Sequence, residues 1–95
     1  MGAKIIWTEV ALADYQNIQE YLLTSFGESV HRKFLLQLLR KIALVQSNPK
    51  LFPATSKRKN IRKAVINKQV ILFYRVKSRT NVIELLSLWN TRKKR

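Results

Sequence analysis

A chain of 95 residues can hold one domain with a modest core, and is too short for two. The absence of cysteine excludes a disulfide framework and a thiolate metal site, and a single histidine gives little support for a zinc site or a histidine–carboxylate relay. Two glycines and two prolines argue against extended disorder, while 19 basic against 5 acidic residues give +14, beyond the magnitude of about 2–8 common in small soluble domains.

Lys4-Ile5-Ile6-Trp7 is a short apolar run of strand-forming type. The N-terminus lacks the long apolar core of a signal peptide, and no run approaches the roughly 18 apolar residues needed to cross a bilayer, so a cytoplasmic protein is expected. Thr8 is placed as an N-cap, with Glu9 in the first turn complementing the helix dipole. Ala11, Tyr15, Ile18 and Leu22 then recur at helical spacing, flanked by Leu12 and Phe26, and predict an amphipathic helix of about 16–18 residues. Gly27 is its natural stop, because glycine accepts the left-handed conformation of a C-terminal cap. A second helix is expected from Glu28 or Ser29 to Ser47. Val30, Phe34, Leu38, Ile42 and Val45 form its buried stripe, with Leu35 and Leu39 beside it. His31, Arg32, Lys33, Gln37, Arg40 and Lys41 face outward, which makes His31 a surface residue. Asn48-Pro49 ends this helix, since a residue before proline is pushed out of the helical region. A lone glycine between the two helices leaves room only for an αα-hairpin. Leu51-Phe52-Pro53 is expected to tuck back against the core, and a polar loop over residues 54–60, carrying Lys57-Arg58-Lys59, leads onward.

From Ile61 to Trp89 two turn signals, Asn67-Lys68 and Ser78-Arg79-Thr80-Asn81, separate three apolar, β-branched-rich runs, the pattern of an antiparallel meander. A two-residue loop at Asn67-Lys68 sets Val65 opposite Val70 and Arg62 opposite Phe73. A second turn centred on Arg79-Thr80 sets Val76 opposite Ile83 and Arg75 opposite Glu84. Alternation then sorts the sheet into two faces. Ile61, Val65, Val70, Leu72, Tyr74, Val76, Ile83, Leu85 and Trp89 form the core face, with Lys63 and Ser87 as polar exceptions. Arg62, Ala64, Ile66, Ile71, Phe73, Arg75, Glu84, Leu86 and Leu88 form the exposed face. Trp7, Trp89 and Tyr74 are read as packing residues. The tail 91–95 is basic and expected to fray.

The order strand, helix, helix, three strands predicts a single two-layer α+β domain over residues 1–95, with both helices on the apolar sheet face. The N-terminal strand joins that sheet beside a neighbour that periodicity does not identify. Residues 1–30 carry Lys4 against four acids, while residues 31–95 carry eighteen basic groups against Glu84 alone. Such asymmetry points to a polyanionic partner: nucleic acid, an acidic protein or a membrane surface. Lys57, Arg58, Lys59, Arg62, Lys63, Arg75 and Arg92 are the candidate target-binding or nucleic-acid-binding residues, because guanidinium forks and ammonium groups suit phosphate contacts. Arg75 also faces Glu84 across the strands, a pairing worth roughly 0.2–1 kcal/mol. Ile71, Phe73, Leu86 and Leu88 on the same face are the candidate protein-binding residues, since an uncovered apolar sheet face marks an interface.

The chain resembles the RelE/ParE family of bacterial toxins from type II toxin–antitoxin modules. The resemblance runs through W-T-x-x-A-x-x-D-Y-x-x-I-x-x-Y-L (Trp7 to Leu22), Asn48-Pro49, I-R-K-A-V-I (Ile61 to Ile66), L-F-Y-R-V (Leu72 to Val76) and I-E-L-L-S-L-W-N-T-R (Ile83 to Arg92). It implies a cytoplasmic toxin that arrests growth, needs no cofactor or metal, has no membrane partner, and is neutralised as a hetero-oligomer by an acidic antitoxin seated on Ile71, Phe73, Leu86 and Leu88. RelE-like members cut mRNA in the ribosomal A site with cations and an acid/base on the exposed sheet face. Aligned on Leu72–Val76, the resemblance puts Arg62 at their first catalytic cationic position, and Ala64 and Ile71 at the second and third. Thr91 or Arg92 falls at the C-terminal basic position, with no tyrosine after it. Arg62 and Arg92 are therefore the catalytic candidates for RelE-like cleavage, with Lys57, Lys59 or Lys63 left to replace a missing cation. The pattern is closer to ParE-like members, which lack the nuclease set and poison DNA gyrase by protein contact. A ribosome-dependent mRNA interferase is the alternative, and a relic that only binds antitoxin or nucleic acid is a third reading.

Overall fold

Thr8 ends a strand and begins a helix, and its hydroxyl serves both. Its Oγ1 accepts from the Ala11 N–H at 3.2 Å, capping the helix, and donates to the Leu85 carbonyl at 2.7 Å, tying that cap to the sheet. The computed structural model describes residues 2–55 and 60–91. In chain order these form β1 (Lys4–Trp7), α1 (Glu9–Ser25), α2 (Glu28–Ser47), β2 (Ile61–Val65), β3 (Val70–Lys77) and β4 (Val82–Asn90). Gly27, after the Phe26 cap of α1, takes a φ of 95°, and its N–H donates to the Leu22 carbonyl, so the expected glycine stop is where the chain reverses into α2. No described helix is long and apolar enough to cross a membrane.

The sheet order is β1-β4-β3-β2, with β1 parallel to β4 and the other pairs antiparallel. Both helices pack on one side of it, giving the two-layer α+β arrangement. Phe34, Leu38, Ile42 and Val45 of α2 and Ala11 and Ile18 of α1 meet Leu72, Tyr74, Ile83 and Leu85 in the core. The Tyr74 hydroxyl, deep in that core, donates to the Pro49 carbonyl at 3.0 Å. β1 accompanies β4 only as far as Leu85. Beyond that point α1 takes over the exposed strand edge: Thr8 Oγ1 also reaches the Leu86 carbonyl, and Asp14 Oδ2 accepts from the Leu88 N–H at 3.0 Å.

Two local irregularities correct the expected faces. The first turn has three residues between Ile66 and Val70, not two. Asn67 Oδ1 accepts from the N–H groups of Gln69 and Val70 at 2.8 and 3.0 Å, and the Ile66 N–H donates to the Val70 carbonyl. Arg62 therefore stands opposite Tyr74 and Val65 opposite Ile71, one residue out of the expected register, and a shift of one turns every side chain of β2 over. The second turn pairs Val76 with Ile83 and Arg75 with Glu84, as expected. Past it the register slips between Phe73 and Tyr74, leaving Leu86 as the extra residue of a bulge.

As a result Arg62, Ala64, Ile66 and Leu88 lie on the helix-covered side, and Ile61, Lys63, Val65, Ser87 and Trp89 on the uncovered one. The helices show smaller departures. Val30 and Leu39 are exposed, because the sheet-facing stripe of α2 is narrower than its apolar pattern. His31 is half-buried rather than free on the surface, with Nε2 2.9 Å from the Tyr15 hydroxyl. Lys41 lies with Nζ 5.6 Å from the Phe52 ring centre, which holds the chain after α2 against the domain.

Removal of the Thr8 hydroxyl takes away the cap and its tie to β4 together. Thr8→Ala is expected to destabilise the domain by about 1–2 kcal/mol, with Thr8→Ser restoring most of the loss, in urea or thermal denaturation.

Candidate functional site

The sheet face that the helices leave uncovered is built in rows across the strands. Nearest the Asn67 turn, Val65, Ile71 and Trp89 stand directly opposite one another on β2, β3 and β4. Val65 and Trp89 are each 53% exposed, a large apolar area to leave in water without a partner. The next row is Lys63, Phe73 and Ser87, followed by Ile61, Arg75, Glu84 and Ile6. The last row, beside the second turn, is Lys77, Val82 and Lys4. The face thus grades along its strands from apolar to cationic.

Glu84 is the sheet's sole carboxylate, and two cations hold it. Arg75 Nη1 lies 3.5 Å from one of its oxygens and Lys77 Nζ 3.3 Å from the other. These contacts are partly exposed and, at 3.3–3.5 Å, contribute little stability, but they fix where the charges sit. Arg62 is placed quite differently from the expectation that it shares a face with Arg75. Its Nη1 donates to the Phe52 carbonyl at 2.7 Å on the helix side, beside Tyr74. Burial pushes the Tyr74 phenol up from its ordinary pKa, an effect the Arg62 charge and the Phe52 backbone partly offset. Burial likewise raises Tyr15, so neither phenol is a proton acceptor at neutral pH. His31 lies across the domain, bonded to Tyr15. Among the described residues no three histidine, aspartate or glutamate side chains gather to hold a metal ion.

Of the predicted site residues, Ile71, Phe73 and Arg75 lie on the uncovered face, and Lys63 joins them through the shifted register. Leu86 is the half-buried bulge residue, and Leu88, only 4% exposed, belongs to the core. Lys57, Arg58, Lys59 and Arg92 lie outside the described residues. Val65 and Trp89 are the exposed apolar residues that sequence reasoning placed in the core. The signal that could have found them is the pair of polar exceptions, Lys63 and Ser87, on the expected core face. The observed register moves both of them outward.

The different settings of the two arginines have unequal consequences for stability. Arg62→Ala, which leaves a half-buried carbonyl without its charged donor, is expected to cost about 1–3 kcal/mol. Arg75→Ala is expected to stay within about 0.5 kcal/mol of the parent, because its contact is long, partly exposed, and leaves Glu84 paired with Lys77. Denaturation midpoints of the two variants check both values.

The family described as "ParE toxin of type II toxin-antitoxin system, parDE" matches residues 5–95 of the chain. No curated protein matches it by sequence. Among solved structures it is similar to the chromosomal ParDE toxin–antitoxin system from P. aeruginosa, with 18% identity and a TM-score of 0.74 over 93% of this chain and 95% of that one. It is also similar to a mutant E. coli toxin RelE in the free state, with 18% identity and a TM-score of 0.68 over 95% and 84% of the two chains. A third likeness is to the YoeB/ParE toxin from Agrobacterium tumefaciens, with 15% identity and a TM-score of 0.68 over 92% and 96%. At these identities the structural likenesses establish the shared fold.

Proposed function

The chain belongs to the ParE toxin family of type II toxin–antitoxin systems, and we propose that it arrests bacterial growth by gripping DNA gyrase through protein contact, without cutting RNA. The observation that carries this reading is the placement of Arg62. Cleavage of RNA needs a group to take the 2′-hydroxyl proton and cations to stabilise the charge that develops on phosphorus. Arg62, which falls on the first catalytic position of RelE-like members, is turned to the helix side and bonded to Phe52. Ala64, at the second position, is fully buried, and Ile71, at the third, has no charge. Glu84, the sheet's carboxylate, is held between Arg75 and Lys77. Such a face suits binding better than proton transfer.

On this reading residues 1–95 act as one toxin domain in the cytoplasm, without a cofactor. An acidic, amphipathic segment of a cognate antitoxin covers the row Val65–Ile71–Trp89 together with Phe73, and its carboxylates meet Lys63 and Arg75. The RelE-like alternative has Lys63 in its favour, because the shifted register brings that cation beside Phe73 on the uncovered face.

Protein freed of antitoxin is expected to trap gyrase–DNA complexes in a supercoiling and cleavage assay, and to leave mRNA on translating ribosomes intact. Cleavage of A-site codons with unaffected gyrase would reverse the assignment. For the antitoxin face, Trp89→Ala is expected to weaken antitoxin binding by roughly 30-fold while the fold survives, as for a central aromatic anchor. Leu88→Ala should instead destabilise the domain itself by about 2–5 kcal/mol. Titration of folded variants against antitoxin separates the two effects.

A further inference from the structure

Three segments distant in the chain meet at the end of the sheet opposite the Asn67 turn. They are the start of β1, the stretch after α2, and the turn between β3 and β4. The Ala3 N–H donates to the Gln46 carbonyl at 3.2 Å and Gln46 Nε2 donates back to the Ala3 carbonyl at 2.7 Å. The Lys4 N–H donates to the Asn81 carbonyl at 3.0 Å, and Asn81 closes the turn with a left-handed φ of 56°. Lys50 and Lys77, with Asn48, Ser78 and Asn81, line a cavity of about 260 Å³ between these segments. Lys4 and Arg79 do not line it but follow the lining residues Ala3 and Ser78 directly in the chain.

These four cations come from segments that backbone hydrogen bonds fix in relation to one another. Lys4, Lys50 and Arg79 are exposed, and among the described residues none of them enters an ion pair. Lys77 is paired with Glu84, the nearest carboxylate of the sheet. The remaining acids lie toward the other end: Glu9 opens α1 beyond β1, Asp14 bonds the Leu88 N–H, and Glu20 and Glu28 flank the reversal at Gly27. That other end also carries Arg32 and Lys33 at the start of α2 and Lys68 in the Asn67 turn. What distinguishes the end at the second turn is that, among the described residues, its cations outnumber a single nearby carboxylate, Glu84.

We propose that this cationic pole docks on the phosphate backbone of duplex DNA. Among the described residues no aromatic side chain lines its cavity, so they offer no platform for an unstacked base, as single-strand binders provide. Exposed lysine and arginine beside hydroxyl and amide groups make the backbone contacts that position a protein on a duplex without reading its sequence. The choice of DNA over RNA rests on the gyrase reading above, in which the target already holds a duplex beside the bound toxin.

The test is direct binding of the full chain to a mixed-sequence DNA duplex, followed by fluorescence anisotropy over a range of salt. The pole variant is Lys4→Gln/Lys50→Gln/Arg79→Gln. The control, Arg32→Gln/Lys33→Gln/Arg40→Gln, removes the same charge from the exposed side of α2. Loss of three phosphate contacts should lower the slope of log K against log salt by about 2.7, and weaken binding roughly a hundredfold near physiological salt. The control should change the slope by less than about 1. Equal losses in the two variants, or a larger loss in the control, would mean a diffuse field and overturn the proposal. Circular dichroism checks that both triples are folded, and Arg79→Gln alone should retain a third of the slope change if the triple is not. Pole-dependent DNA binding without any effect on gyrase would uphold the docking surface and sink the gyrase reading. Gyrase trapping with DNA binding unchanged in the pole variant would sink the docking surface alone.

Discussion

The carboxamide of Asn67 decides which way the edge of the sheet faces. By accepting from the N–H groups of Gln69 and Val70, it closes a three-residue turn where a two-residue hairpin was also available to the chain. Its own Nδ2 donates to Gln37 Oε1 at 3.1 Å, so α2 helps to hold the turn in that state. Everything on β2 follows from this choice. Ala64 and Ile66 enter the core, Lys63 and Val65 leave it, and Arg62 comes inside, where the Phe52 carbonyl meets its guanidinium. A half-buried arginine without such an acceptor would lose a charge-assisted hydrogen bond, so the turn and the Phe52 loop depend on each other.

The bulge at Leu86 does for β4 what the turn does for β2. It lets Leu85 and Leu88 both point into the core and turns Trp89 out beside Ile71. It lies where β1 ends and α1 takes over the strand edge, and Asp14 accepts the Leu88 N–H there. The two irregularities together create the exposed apolar row at one end of the uncovered face. The other end collects cations, because β1, the chain after α2 and the second turn all bring lysine or arginine to it. One face thus offers an apolar anchor and a positive field, an arrangement suited to a partner that is both acidic and amphipathic.

Much of this fold is legible from local signals. Thr8 as a cap, Gly27 as a stop, Asn48-Pro49 as a helix end and the spacing of Phe34, Leu38, Ile42 and Val45 each act within a few residues. The second turn and its register are legible for the same reason. The partner of β1 is not, because its parallel pairing with β4 joins residues far apart in the chain. The exposed row is not legible either. Val65 and Ile66 are both apolar, so alternation cannot choose between them, and one extra residue in a turn or a bulge inverts all that follows. Lys63 and Ser87 on the expected core face were the sequence's own objection to the simpler register. Ile71, Phe73 and Arg75 were placed on the uncovered face correctly because β3 has neither defect on its own side of the pairing.

The orientation of Trp89 tests this account most directly. In the variant Trp7→Phe it is the chain's only tryptophan, so fluorescence and acrylamide quenching report on it alone. The account predicts red-shifted, readily quenched emission from the free protein, and blue-shifted, protected emission once the antitoxin is bound. Emission already protected in the free protein would place Trp89 in the core and contradict the bulge. Emission equally quenched in the complex would contradict the binding face.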